Sequence, residues 1–232
     1  MTRCLLWDFD NTLAFRREGG FRSAMSETLD QKMPGHRIEP DDLRIPLRDG
    51  FPWHEWNRPH LELSSPDLWW NHVEKILKRA YESVGIDPER ATRLGHFARK
   101  RYVDPSSFEL FPDTVPVLQK LTSAGWQHII LSNHVPELTK IVEHLGLNPL
   151  ISRVLCSAET GFEKPHPESY RLAKQAAGNP DTLWMIGDNP DADVRGAEQC
   201  GIPAILVRNV DSSVKRSAKD LFEVMAILGE KP

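Results

Sequence analysis

Short apolar runs alternate with amphipathic stretches from about residue 110 to the end of the chain. Apolar runs bounded by turn residues are typical of buried strands, and apolar residues at every third or fourth position are typical of helices. The alternation predicts an α/β fold in which helices flank a parallel sheet of about five strands. The predicted strands are CLLW, WQHIILSN, SRVLCSAET, TLWMIGD and PAILVRN. The predicted helices are DTVPVLQKLTSAG, PELTKIVEHLGL, PESYRLAKQAAG and DADVRGAEQCG.

Residues 15–105 break this alternation. They contain no convincing apolar strand but two helical stretches, PDLWWNHVEKILKRAYESVG and DPERATRLGHFARKRYVD. The first has one apolar face at helical spacing, formed by Trp70, Val73, Leu77, Tyr81 and Val84. Six prolines in residues 34–66 exclude a long helix or a central strand there. We therefore predict a core domain of residues 1–14 and 106–232, interrupted by an inserted, mainly helical cap domain of residues 15–105.

Polar side chains follow four of the predicted strands, each near the point where the strand ends. In chain order they are Asp8 and Asp10, Ser132 and Asn133, Lys164, and finally Asp188 and Asp193. In an open parallel sheet, ligands bind at the carboxyl ends of the strands, where the strand order reverses. We therefore expect these side chains to meet in one crevice.

Composition and charge narrow the classes of function. The 232 residues are 40% hydrophobic and 27% charged, and their net charge of −4 gives no basic surface for nucleic acid. The amino-terminal apolar run is too short for a signal peptide, and no stretch approaches the roughly 18 apolar residues of a membrane span. We predict a cytoplasmic protein with no nucleic-acid and no membrane partner. Cys4, Cys156 and Cys200 are predicted to be buried free thiols.

The order and spacing of DFDNTL, LSN, EKPHP and GDNPDAD closely resemble the four motifs of the haloacid dehalogenase superfamily of hydrolases. The resemblance spans residues 4 to about 207. One pair of aspartates would mean little, but four motifs in order on four strand ends rarely match by chance. The resemblance implies a Rossmann-like core. Members with a helical insertion after the first motif are C1-capped, and residues 15–105 occupy that place.

The residue types suit the transfer of a phosphoryl group, which is dianionic and repels a carboxylate nucleophile until cations cancel its charge. Asp8 is the predicted nucleophile and would form an aspartyl-phosphate. Asp10 would protonate the leaving oxygen and later take a proton from the attacking water. Ser132, Asn133 and Lys164 are predicted to bind the phosphate, and Ser132 and Lys164 are also counted among the catalytic residues.

Mg²⁺ is the predicted cofactor, because it prefers hard oxygen ligands in near-octahedral array. Its predicted ligands are Asp8, Asp188 and the main-chain carbonyl of Asp10. Asp193 is assigned to the same metal site, where it would act through water or by orienting Lys164.

We therefore predict a phosphatase that hydrolyses a small phosphorylated metabolite. Dehalogenases and phosphonate-cleaving members resemble this chain but lack an acid two residues after the nucleophile, where Asp10 stands here. Two alternatives stay open. One is a phosphomutase, since mutases keep both aspartates and a helical cap, and the other is a non-catalytic binding protein on the same fold.

The cap adds expectations of its own. Because aromatic residues dominate small cores, its tryptophans are expected to serve for packing rather than substrate contact: Trp53, Trp56, Trp69 and Trp70. Arg16 and Arg17 follow the first motif closely and are candidates to overhang the crevice. The proline-rich segment could bury Phe51 and its neighbouring tryptophans against a second copy of the chain, which leaves a homodimer open.

Overall fold

The computed structural model of the chain describes residues 2–17 and 19–230. Its strands are β1 (Arg3–Trp7), β2 (Ala14–Arg16), β3 (Phe108–Leu110), β4 (Trp126–Ser132), β5 (Arg153–Cys156), β6 (Thr182–Gly187), β7 (Ala204–Val207) and β8 (Ser217–Ala218). Six of them form one sheet in the order β5-β4-β1-β6-β7-β8, and all its pairs are parallel. The predicted α/β fold with a parallel sheet is confirmed.

The sheet reverses its strand order at β1. This strand pairs with β4 on one side and with β6 on the other, and from there the chain continues outward to β5 and to β7. Leu5, Leu6 and Trp7 are fully buried because the sheet places β1 between two neighbours and under helices on both faces. The carboxyl end of β1 is thus the switch point at which a ligand crevice forms.

Two details of the sheet differ from the prediction. β8 adds a sixth strand at the edge, and its two residues, Ser217 and Ala218, are too few to stand out as an apolar run. The predicted strand SRVLCSAET ends at Cys156, and its last residues, Ser157–Thr160, form a short helix instead. Cys4 and Cys156 are buried free thiols as predicted, whereas Cys200 is partly exposed.

The helices are α1 (Phe21–Lys32), α2 (Pro66–Ser83), α3 (Pro88–Tyr102), α4 (Thr114–Ser123), α5 (Leu138–His144), α6 (Ser157–Thr160), α7 (Pro167–Ala176), α8 (Gly196–Gln199) and α9 (Leu221–Ile227). The predictions for α2, α3, α4, α5 and α7 are confirmed, each within a few residues. The predicted helix DADVRGAEQCG is a π-helix, Pro190–Arg195, that continues into α8. No described helix is long and apolar enough to cross a membrane.

Helix α1 was not predicted, although its buried residues follow a helical spacing. They are Phe21, Ala24, Met25, Thr28 and Leu29. The small Ala24 and the polar Thr28 weaken the apolar stripe in the sequence. Thr28 nevertheless fits the interior because its hydroxyl donates a hydrogen bond to the carbonyl oxygen of Ala24, one turn earlier, at 2.7 Å.

The proline-rich segment between α1 and α2 contains neither a long helix nor a strand, as predicted. It forms three short 3₁₀ turns, Pro40–Leu43, Pro52–Glu55 and Leu61–Leu63. Residues 15–105 were expected to contain no apolar strand, but their first two residues belong to β2 (Ala14–Arg16), which pairs antiparallel with β3 in a two-stranded ribbon. The ribbon forms only when the two connectors meet in space, so neither three-residue strand is visible as a local pattern.

The inserted helices contact the core directly. The indole nitrogen of Trp70 in α2 donates to Glu137, just before α5, at 3.0 Å from each carboxylate oxygen. The guanidinium of Arg99 lies 4.6 Å from the centre of the same indole ring and 3.8 Å from Glu137. Trp69 and Trp70 are each 1% exposed and belong to the same hydrophobic cluster as Trp7 of β1. For these two tryptophans the expectation of a packing role is confirmed.

Candidate active site

One cavity of about 770 Å³ opens at the carboxyl end of β1. All seven predicted site residues line it: Asp8, Asp10, Ser132, Asn133, Lys164, Asp188 and Asp193. They come from four segments of the chain that are distant in sequence. The expectation that they meet in one crevice is therefore correct, and the reason is the parallel order of β1, β4 and β6.

Asp8 stands at the centre of a buried hydrogen-bond network. Its Oδ1 accepts from the hydroxyl of Ser132 and from the ammonium of Lys164, each at 2.8 Å. The same ammonium donates to Oδ1 of Asp193 at 2.6 Å. Among the described residues, none donates a hydrogen bond to Oδ2 of Asp8. One carboxylate oxygen is thus held in place while the other stays available for reaction or for a metal.

Asn133 positions the backbone of Lys164. Its side-chain nitrogen donates to the Lys164 carbonyl at 2.8 Å, and its side-chain oxygen accepts from the Lys164 N–H at 2.7 Å. This pair of bonds fastens the loop after α6 to the end of β4. The amide predicted to bind phosphate therefore also fixes the direction of the lysine side chain.

Asp193 is held from both sides. Besides the bond from Lys164, its Oδ2 accepts from the main-chain N–H of Asn189 at 2.9 Å. The carboxylate lies against Gly187, where a Cβ atom would overlap it, so the glycine at the end of β6 makes its position possible. Because both oxygens are occupied, this geometry favours the role of orienting Lys164.

Asp10 occupies the turn after β1, close to a histidine. Asn11, the next residue, adopts a left-handed conformation with φ of 56°, which asparagine tolerates better than most residues. Oδ2 of Asp10 lies 3.6 Å from Nε2 of His134, whose side chain is fully buried. That nitrogen has no hydrogen-bond partner among the described residues. Partial burial raises the pKa of Asp10, His134 opposes the increase, and the charge of Asp8 adds to it.

Burial and neighbouring charges shift the pKa values of the ionisable groups in the site. Burial raises the pKa of Asp188 to about 7, and the negative charges of Asp8 and Asp193 contribute to this increase. Burial by itself would lower the pKa of Lys164, but the charges of Asp193 and Asp8 raise it above its ordinary value. Lys164 is therefore a fixed cation, and one lysine faces three carboxylates.

The carboxylates of Asp8, Asp188 and Asp193 fit a divalent cation. One oxygen of each lies within 4.8 Å of the others, close enough to surround a single ion. Carboxylate oxygens are the hard donors that Mg²⁺ prefers. The pKa of Asp188 is raised first by burial and then by the charges of Asp8 and Asp193, and the positive charge of a bound cation would oppose both effects.

Several lining residues were not predicted. His134, Tyr102 and Arg195 line the cavity, as do Trp53 and Trp56, for which a packing role was expected. His134 directly follows the LSN motif, and this adjacency was the only local signal for it. Arg16 and Arg17 are not among the described residues that line the cavity. The guanidinium of Arg16 donates a hydrogen bond to the carbonyl oxygen of Gly19, and Nε of Arg17 lies 3.7 Å from Oε2 of Glu109.

Residues 2–201 match the family of haloacid dehalogenase-like hydrolases, and this span includes every side chain of the site. The chain belongs to this family. Its place among the haloacid dehalogenase-like hydrolases confirms the resemblance of the four motifs and identifies the chain as a hydrolase.

Two curated relatives of this haloacid dehalogenase-like hydrolase are phosphatases. Phosphoserine phosphatase of Thermus thermophilus is 35% identical over 161 residues, which cover 67% of this chain and 61% of the relative. Glyceraldehyde 3-phosphate phosphatase of Methanopyrus kandleri is 28% identical, with 90% of this chain and 84% of the relative covered. The chain thus spans about three fifths of the length of the first relative. Both names agree with the prediction of a phosphatase-type enzyme.

Solved structures share the fold of this haloacid dehalogenase-like hydrolase. The hydrolase YfnB of Bacillus subtilis, solved with bound magnesium, superposes with a TM-score of 0.73 at 18% identity and covers 98% of this chain and 99% of its own. L-2-haloacid dehalogenase of Xanthobacter autotrophicus superposes with a TM-score of 0.69 at 16% identity, with both chains fully covered. At such identities the likeness concerns the fold alone.

Proposed function

We propose that this hydrolase is a Mg²⁺-dependent phosphatase that cleaves a small phosphorylated metabolite through an aspartyl-phosphate on Asp8. The observation that carries the proposal is the environment of the Asp8 carboxylate. Ser132 and Lys164 each donate to its Oδ1 at 2.8 Å, and the carboxylates of Asp188 and Asp193 lie beside it. The phosphatase names of the two relatives support the same reaction class.

In the first step, a carboxylate oxygen of Asp8 attacks phosphorus, and the bond from phosphorus to the ester oxygen breaks. Asp10 gives its proton to the departing oxygen. Its raised pKa favours this role, because a higher pKa lets the carboxyl group keep its proton at higher pH. The hydroxyl of Ser132 and the ammonium of Lys164 are preorganised donors for the charge on the phosphoryl oxygens.

In the second step, water attacks the phosphorus of the aspartyl-phosphate, and Asp10 takes the proton of that water. Phosphate leaves, and the Asp8 carboxylate is restored. Asp8, Asp188 and the main-chain carbonyl of Asp10 would hold Mg²⁺, with Asp193 assisting. When bound, the ion would supply positive charge that cancels the repulsion between the phosphate and the carboxylates.

We also propose that residues 15–105 form a C1-type cap over a core of residues 1–14 and 106–232. The cavity supports this division, because it is lined by Trp53, Trp56 and Tyr102 of the inserted segment together with residues of the four motifs. In this arrangement the cap faces the leaving group and the core holds the phosphate.

A phosphoenzyme trap tests the reaction. Asp10→Asn should allow attack on an activated ester such as 4-nitrophenyl phosphate but slow the hydrolysis of the intermediate by about 10²- to 10⁴-fold. Rapid quenching and peptide mass analysis should then find a phosphoryl group on Asp8. Asp8→Asn, as the matched control, should give neither label nor turnover. Label on another residue, or substantial turnover by Asp8→Asn, would refute the covalent route.

A further inference from the structure

The side of the cavity that the inserted segment contributes is aromatic. Among the described residues of 15–105, three line the cavity: Trp53, Trp56 and Tyr102. Trp53 lies within the 3₁₀ turn Pro52–Glu55, Trp56 directly follows it, and Tyr102 is the last residue of α3. The inserted segment thus contributes flat rings to the lining of the cavity.

Neighbouring rings hold two of these three side chains in place. The ring of Trp53 stacks on Phe51 with centroids 4.6 Å apart, and the ring of Tyr102 stacks on Phe21 at 3.8 Å. Trp56 lines the cavity and is 42% exposed, so it keeps accessible surface that a ligand could cover. An accessible indole is a good stacking surface because its flat ring has few rotatable bonds to immobilise when a ligand covers it.

The segment that contains both tryptophans is fastened to the core. The main-chain N–H of His60 donates to the carbonyl of Gly161 at 2.7 Å. The buried ring of His60 makes a second contact, at 3.1 Å from its Nε2 to the carbonyl oxygen of Glu55, within the turn between the tryptophans. The bond to Gly161 thus ties the segment that contains Trp53 and Trp56 to the core, and the bond to Glu55 links His60 to the turn beside them.

The cations of the cavity are already paired. Lys164 contacts Asp8 and Asp193, and Arg195 contacts Asp191 at 2.5 Å and Asp211 at 2.7 Å. Among the described lining residues, no other lysine or arginine is available for a second anionic group. A leaving group with its own phosphate or carboxylate would have to compete with these carboxylates for the cations, whereas a neutral leaving group would not.

We infer that the substrate is a phosphomonoester whose neutral leaving group carries a flat aromatic ring, which stacks against Trp56. The inference rests on the proposed phosphatase activity and names its substrate class. A cavity of about 770 Å³ has room for a phosphate, a sugar-sized linker and a ring. Base stacking on an aromatic side chain contributes about 1–3 kcal/mol in other proteins, which corresponds to at least fivefold in affinity.

Nucleoside 5′-monophosphates and ribose 5-phosphate test the inference, because they share the same phosphate and sugar and differ in the ring. With Mg²⁺, kcat/KM should be about tenfold higher for at least one of the adenosine, guanosine, cytidine and uridine monophosphates than for ribose 5-phosphate. Trp56→Ala should reduce this ratio about tenfold, and Trp56→Phe should restore much of it. Phe222→Ala removes an aromatic ring of matched exposure, 40%, outside the cavity and should leave the ratio unchanged.

The outcomes separate this inference from the proposed activity. Equal kcat/KM for ribose 5-phosphate and all four nucleotides, or a ratio that Trp56→Ala leaves unchanged, would overturn the ring inference while the phosphatase stands. Calorimetric binding to the inactive Asp8→Asn variant gives a second readout, in which a nucleotide should bind about tenfold more tightly than ribose 5-phosphate. If Asp8→Asn shows this binding preference but the wild-type protein hydrolyses no phosphate ester, the preference for a ring stands and the proposed phosphatase activity is refuted.

Discussion

Nε2 of His134 lies 3.6 Å from Oδ2 of Asp10, and the histidine side chain is fully buried. Burial raises the pKa of Asp10 and His134 opposes that increase, so the histidine adjusts the proton affinity of the proposed acid and base. We expect His134→Gln, which cannot carry a positive charge, to reduce kcat about tenfold. The limb of the pH profile that Asp10 controls should also move to higher pH.

A pH profile of kcat for 4-nitrophenyl phosphate measures both effects. His144→Gln replaces an exposed histidine of α5 and is the matched control. A His134→Gln profile that keeps the wild-type limbs would show that His134 does not influence Asp10.

Lys164 should stabilise the fold as well as the reaction. Its ammonium is buried between Asp8 and Asp193, and removing one partner of a buried ion pair typically costs about 3–5 kcal/mol. We expect Lys164→Gln to lower the free energy of unfolding in urea by about 3 kcal/mol in the presence of a chelator, and to reduce kcat at least 10²-fold. Lys140→Gln, at an exposed lysine, should change neither. Equal stability of Lys164→Gln and the wild type would contradict the role of this cation.

Glu163 should make stability depend on pH. The side chain is 2% exposed, its Oε2 has no hydrogen-bond partner among the described residues, and burial raises its pKa from 4.5 to about 7. The hydroxyl of Ser157 partly opposes this increase. Between these two pKa values the folded protein binds more protons than the unfolded chain, so the free energy of unfolding decreases as the pH rises.

We expect the ionisation of Glu163 to lower the free energy of unfolding by about 2 kcal/mol between pH 5 and pH 8. Glu163→Gln should remove that part of the pH dependence and be more stable than the wild type at pH 8. Urea unfolding at both pH values measures the effect, with Glu143→Gln at an exposed glutamate as the control. An identical pH dependence in Glu163→Gln would show that Glu163 ionises freely in the folded protein.

The cluster of Asp8, Asp188 and Asp193 should bind Mg²⁺ and couple it to folding. At a hundredfold excess over its dissociation constant, an ion that binds only the folded state adds about 2.7 kcal/mol, so Mg²⁺ should raise Tm by several degrees. Asp188→Asn should lose this shift and all turnover, and chelation should abolish wild-type turnover. Asp191→Asn, at a cavity carboxylate outside the cluster, should keep the Tm shift. Turnover that persists in excess chelator would exclude a metal-dependent reaction.

The parallel core and its seven polar residues were predictable because both depend on local patterns. The buried strands are mostly apolar runs, and three of the four polar motifs stand at or directly after the end of one, while Lys164 lies in the loop that follows the third predicted strand. Parallel strands place their carboxyl ends at one edge, so the order of the elements alone was enough to bring Asp8, Lys164 and Asp188 together. Helices α2 and α3 were recognisable because their buried faces repeat at helical spacing.

Contacts between distant residues decided the rest, and no local pattern contains them. The ribbon of β2 and β3 exists because two connectors far apart in the sequence meet in space. All four tryptophans of the inserted segment look alike in the sequence, yet Trp69 and Trp70 are buried, while Trp53 and Trp56 line the cavity. The sequence by itself determined which polar residues form the candidate site, since these lie at or after strand ends. Only the tertiary structure decided which aromatic side chains line the cavity, because that depends on how the inserted segment packs against the core.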